Sequence, residues 1–180
     1  MHSHLAAVFA RLEDSRATLR RAVDGVPEEL RQMRPAVGRW SVAEVLEHLV
    51  LVNGFFAQRM ADAIAEARAA GLNPEQQARE PLSREVVRRM ADRSDPREAR
   101  EAMMPTGRVD AEAAWGSLDA AREAVRTAAR GADGLALGSV KAEHRLFGPL
   151  TIYQWIELTA AHEVRHADQI REIGAALAAR

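Results

Sequence analysis

The sequence holds no cysteine in 180 residues, only 4% aromatic residues, a single lysine (Lys141) and no surplus of charge, with Lys+Arg 25 against Asp+Glu 26. Each shortage excludes something. Without cysteine there is no disulfide framework, no thiolate nucleophile, no cysteine-ligated zinc and no iron–sulfur cluster. A formal net charge of −1 argues against a nucleic-acid footprint or attraction to an anionic membrane. No apolar run approaches the ~18 residues that would cross a bilayer. The start, Met1-His2-Ser3-His4, lacks the basic and apolar regions of a signal peptide, so the expected location is the cytoplasm. What is abundant is alanine and arginine, the arginines interleaved with acids as on solvated helix faces. No clear β-type stretch stands out, and the chain reads as helical, one domain over residues 1–180.

The apolar periodicity predicts four long helices. The first covers residues 3 to 24, with Leu5, Val8, Phe9, Leu12, Leu19 and Val23 forming its stripe. Ser41 with Glu44 makes a capping-box pattern that opens the second, which runs to Gly71. Residues 71–109 are irregular, with Pro74, Pro81, Pro96, Pro105 and Gly107, and a short helix is expected from about Arg84 to Arg93. Asp110 starts the third long helix, which ends near Gly131. After a turn-rich stretch from Gly134 to Leu150, Thr151 and Gln154 form a second capping box ahead of the last helix. Four long helices with two lengthy connections imply a four-helix bundle with crossovers.

The histidines carry the chemistry. His162 and His166 stand four residues apart on a predicted helix, only about 40° apart around its axis. Two imidazoles one turn apart can bind one divalent metal from the same side. Read literally, His162-Glu163-Val164-Arg165-His166 is the zinc-protease pattern H-E-x-x-H. The context contradicts a protease: Gln169 and Glu172 stand where a metzincin needs a glycine and a third histidine. A third ligand must come from upstream, and His48 on the flank of the second helix is the best candidate. The competing reading for each of the three is a core histidine hydrogen-bonded to a neighbour. His2 and His4 sit at a fraying terminus, and His144 in a connection that could reach the mouth of a site.

Two segments around these histidines resemble the DinB-like family, including its DinB/YfiT branch. Trp40-Ser41-Val42-Ala43-Glu44-Val45-Leu46-Glu47-His48-Leu49 looks like the family's W-S-x-x-E-x-x-x-H-L stretch. Phe147-Gly148-Pro149-Leu150-Thr151, then His162-Glu163-Val164-Arg165-His166 with Gln169-Ile170, looks like its F-G-x-L-T and H-x-x-x-H-x-x-Q-I blocks. The resemblance implies an all-α, DinB/YfiT-like four-helix bundle with His48, His162 and His166 as metal ligands. It implies one divalent ion, often nickel or zinc, with manganese and iron also suited to such donors, and frequently a homodimer. Relatives of this kind include thiol S-transferases that use low-molecular-weight thiols.

A three-imidazole site with open positions would suit a metal-dependent transferase or hydrolase acting on a small molecule. Because the chain has no cysteine, the sulfur of an S-transfer would belong to a cosubstrate. Gln169, one turn beyond His166, could orient a ligand or pack between helices. Glu163 lies about 100° round the helix from His162 and could act as a base from the flank or form an interhelix salt bridge. Trp40 and Trp155 read as packing residues, and Tyr153 and Arg165 as a solvated face that could meet an anionic substrate. The alternative to an enzyme is a non-catalytic metal-binding bundle or an interaction module.

Overall fold

A computed structural model describes residues 1–76, 78–94 and 99–180. The frame is predominantly helical, with five α-helices and one small β-hairpin among the described residues. Helices α1 (Ser3–Asp24), α2 (Val42–Ala69), α4 (Ala111–Arg130) and α5 (Ile152–Ala178) are long; α3 (Arg84–Ala91) is short. Pro96 lies outside the described residues.

The helix starts follow from local chemistry. Ser41 Oγ accepts from the Glu44 amide at 3.2 Å, and Glu44 Oε2 accepts from the Ser41 amide at 2.8 Å. Thr151 and Gln154 make the same reciprocal pair at the head of α5. Asp110 caps α4 by accepting from the Ala113 amide at 2.8 Å. These caps fix where α2 and α5 begin, and so which side of each helix presents its histidines.

Helix α2 packs along α4, α1 along α5, and the two pairs meet chiefly where α2 touches α5. Apolar side chains fill the interior in two clusters. One joins Leu12, Val52, Phe56, Val125 and Trp155 with the hairpin residues Ala142 and Leu150. The other joins Leu19, Leu46, Leu49, Leu118 and Ile170. Between them lies a polar layer with one side chain from each long helix: Ser15, Asn53, Arg122 and Glu163, each no more than 2% exposed.

The hairpin corrects the purely helical expectation. Strands β1 (Lys141–His144) and β2 (Gly148–Thr151) pair antiparallel, Lys141 opposite Thr151 and His144 opposite Gly148. Each has four residues, too few to show an alternating pattern in the sequence. Gly148 sits at φ 69°, a left-handed conformation that favours glycine at the end of the turn. Trp155 Nε1 donates to the Ala142 carbonyl at 3.2 Å and ties the hairpin to α5.

The long connection before α4 is held to the side of the helices. Buried Glu157 of α5 accepts from Arg79 and from the Leu82 amide, both at 2.5 Å, and from Arg11 at 2.7 Å. Further on, Thr106 Oγ1 and the Gly107 amide donate to Glu47 of α2 at 2.7 and 3.1 Å. These anchors bring the backbone around Met103 against the start of α2.

Candidate metal centre

His48 reaches inward from α2, and His162 and His166 from α5, so that one ligand nitrogen from each lies within 4.8 Å of the others. The ring centroids are 4.5 to 5.4 Å apart. His48 and His166 are buried, while His162 keeps partial exposure toward a cavity. The three form a group able to hold a metal ion.

Two of the rings are oriented from behind. His48 Nδ1 donates to the Met103 carbonyl at 2.8 Å, and His166 Nδ1 donates to Gln169 Oε1 at 2.8 Å. A proton held on Nδ1 leaves Nε2 with its lone pair free, the arrangement a metal-binding imidazole needs. Burial pushes the pKa of all three histidines down, and neighbouring imidazoles push His162 and His166 further, well below the usual value. The Met103 carbonyl opposes the shift at His48, and Gln169 opposes it at His166. The set is therefore neutral at physiological pH, as ligands must be.

The spacing fits a shared cation. His162 Nε2 and His166 Nε2 are 3.0 Å apart, about the separation of two nitrogens each ~2.1 Å from one ion at a right angle. His162 Nδ1 is buried without a hydrogen-bond partner among the described residues. That ring is thus the least satisfied of the three by protein groups, since the Nδ1 atoms of His48 and His166 both have partners.

The histidines open onto a cavity of about 880 Å³. Its apolar wall includes Trp40, Val52, Phe55, Phe56, Met103 and Trp155. Trp40 packs on the His48 ring with centroids 5.0 Å apart, and Phe56 meets Trp155 edge-on at 4.9 Å. Trp155, 1% exposed, is also a core residue, so packing and cavity wall are one surface here. His144, at the end of β1, lines the same space and stacks on Phe147 at 4.9 Å.

Glu163 takes no part in this cavity. Its side chain points the other way, into the polar layer, where it accepts from Ser15 Oγ at 2.6 Å, Asn53 Nδ2 at 3.1 Å and Arg122 Nη1. Of its two sequence readings, flank base and interhelix salt bridge, the geometry displays the second. Tyr153 and Arg165 are not on a solvated face. Tyr153 is buried beside Glu75, and burial and that carboxylate raise its pKa. Arg165, 9% exposed, lines the cavity and donates to the backbone carbonyls of Met90, at 3.0 Å, and Asp92. The Met103 carbonyl was beyond sequence reasoning, since a backbone acceptor leaves no residue signature.

A model of the DinB superfamily matches residues 11–170. The chain belongs to the DinB superfamily. The match covers α2 and α4 whole, most of α1 and α5, and all three histidines of the cluster. Among curated proteins, the Uncharacterized protein YuaE of Bacillus subtilis (strain 168) is 27% identical over 157 residues, covering 83% of this chain and 86% of that protein. No solved structure matches. No helix among the described residues of this DinB-superfamily protein is long and apolar enough to cross a membrane.

Proposed function

We propose that this DinB-superfamily protein is a metal-dependent enzyme acting on a small molecule, with His48, His162 and His166 holding one divalent ion, nickel or zinc before manganese or iron. Thiol S-transfer from a low-molecular-weight thiol is the leading reaction. In this reading the long helices form a four-helix bundle with crossover connections, and the protein works as a cytoplasmic homodimer. The observation that carries the proposal is the opening of three neutral imidazoles, two of them held by hydrogen bonds from behind, onto a cavity of about 880 Å³. A purely structural site is plugged by protein, whereas an enzyme needs open coordination positions and room beside them.

A divalent ion so held supplies Lewis acidity that draws a thiol or a water toward deprotonation near neutral pH. The chain's own residues do the rest. Met103 and Gln169 hold the histidine tautomers. Trp40, Phe56 and Trp155 keep bulk water off one side of the histidines. The sulfur comes from outside, because the chain has no cysteine. Gln169 is a positioning residue in this scheme, acting through His166. The alternative, a non-catalytic bundle in which the ion locks α2 to α5, does not account for the open cavity.

The test is elemental analysis of tag-free wild type and His48→Ala, purified with minimal nickel exposure, followed by a screen of thiols against electrophiles. About one divalent ion per chain, lost in the variant, with thiol consumption that tracks metal content, supports the proposal. No ion after incubation with zinc, nickel or manganese overturns it. An ion without any turnover selects the non-catalytic bundle.

A further inference from the structure

Charge is balanced over the chain but not in the cavity. Among the described residues six arginines line it, Arg39, Arg59, Arg93, Arg100, Arg145 and Arg165, against one acid, Glu143. The whole sequence has 26 acids to 25 basic residues, so this lining is not a sample of the average surface. The six come from different places: the turn before α2, α2 itself, the connection after α3, the hairpin turn and α5. Only folding brings them together.

Arg93 is held by Glu172 through two contacts of 2.7 Å, and Arg165 is oriented by two backbone carbonyls. The side chains of Arg59, Arg100 and Arg145 make no ion pair among the described residues. A concave surface with apolar walls and uncancelled charge of one sign concentrates field lines and draws in ligands of the other sign. Guanidinium groups match carboxylate and phosphate oxygens in a two-pronged geometry.

We infer that the cavity takes a small polyanion, a molecule with at least two carboxylate or phosphate charges, bound by the arginines with its reactive part turned toward His48, His162 and His166. This rests on the proposed enzyme reading for the role of the histidines, but not for the binding itself. A volume of about 880 Å³ admits a complete small metabolite. The confinement of the positive charge to a concavity, on a chain of net charge −1, favours such a ligand over an extended polymer.

The experiment is calorimetric titration of the full chain with succinate and glycerol phosphate, each against its uncharged counterpart, succinamide and glycerol. It is run on protein as purified and after chelation and dialysis, with metal content measured on the same samples. We expect one or both anions to bind in both forms, the uncharged partners not to bind, and affinity to fall several-fold as salt rises. Arg59→Gln/Arg145→Gln should weaken the anion at least about tenfold while metal content stays unchanged. Arg145→Gln alone, at an exposed turn, should show a smaller loss in the same direction. Preference for succinate or for glycerol phosphate names the anionic group. No binding of either anion, equal binding of the uncharged compounds, or no change in the arginine variants overturns the inference. Anion binding without any metal keeps this inference and removes the enzyme reading; metal without anion preference does the reverse.

Discussion

One turn of α5 carries two polar clusters that behave in opposite ways. On its inner side Glu163 meets Arg122, Ser15 and Asn53, and every oxygen of the carboxylate is taken up by a protein donor. On its other side His162 and His166 meet His48, three ligand nitrogens converge, and His162 Nδ1 has no hydrogen-bond partner among the described residues. The first cluster is closed and its chemistry is spent on holding helices together. The second is open and unfinished by the protein itself. The difference shows that burial of polar groups does not mark a functional site; convergence on a shared, unfilled point beside a cavity does.

The comparison breaks most sharply at His48. Replacing it with alanine should abolish stoichiometric metal binding, read by elemental analysis. The unfolding free energy of chelator-treated protein should move far less than the metal content does, because no buried charge is stranded. The inner cluster should respond the other way. Arg122→Ala leaves Glu163 without its buried counter-ion and should cost about 3–5 kcal/mol in urea denaturation, with metal content per folded chain unchanged because Ser15 and Asn53 still hold the carboxylate in place. If both variants lost metal and stability together, the two clusters would be one unit. Gln169→Ala sharpens the distinction within the open cluster: metal affinity should drop about 10–100-fold by competition with a chelator, with little change in stability.

The smallest effect tests a half-buried pair beside the inner cluster. Arg16 holds Asp119 at 2.7 Å and depresses its carboxyl pKa, chiefly through that hydrogen bond. Because the folded-state pKa lies below the unfolded one, the pair contributes stability above pH ~4 and loses it as pH falls through the folded value. Asp119→Asn should therefore cost less than about 1 kcal/mol at pH 7 and progressively less as pH falls below ~4, by thermal melts across that range.

Sequence made the open cluster visible and the closed one nearly invisible. His162, His166 and Gln169 share one helical face by local spacing, while His48, on another helix, stands out as the best upstream candidate and is joined to them by the family resemblance. The ends of the long helices were set by caps within a residue or two of Ser41, Asp110 and Thr151. Glu163's partner was one of 24 arginines, and nothing local singles out Arg122 when four helices meet at that point. The hairpin escaped because Lys141-Ala142-Glu143-His144 carries no strand-forming pattern and is held by Trp155 and its partner strand. The cavity arginines escaped for the same reason on a larger scale: along the chain they alternate with acids, and their sorting is three-dimensional. Tyr153 reads as solvated only until the segment bearing Glu75 is laid across it.

The grip on Glu163 has a consequence for its neighbours in sequence. Hydrophobic contact is non-directional, so a helix packed only by leucine and alanine has no bond that fixes its rotation about its own axis. A carboxylate clasped by side chains from α1, α2 and α4 cannot follow such a roll without breaking all its bonds. Glu163 thus acts as a keyway for α5, and the imidazoles on either side of it inherit its setting. Their aim toward His48 is fixed from inside the protein, before any ion arrives.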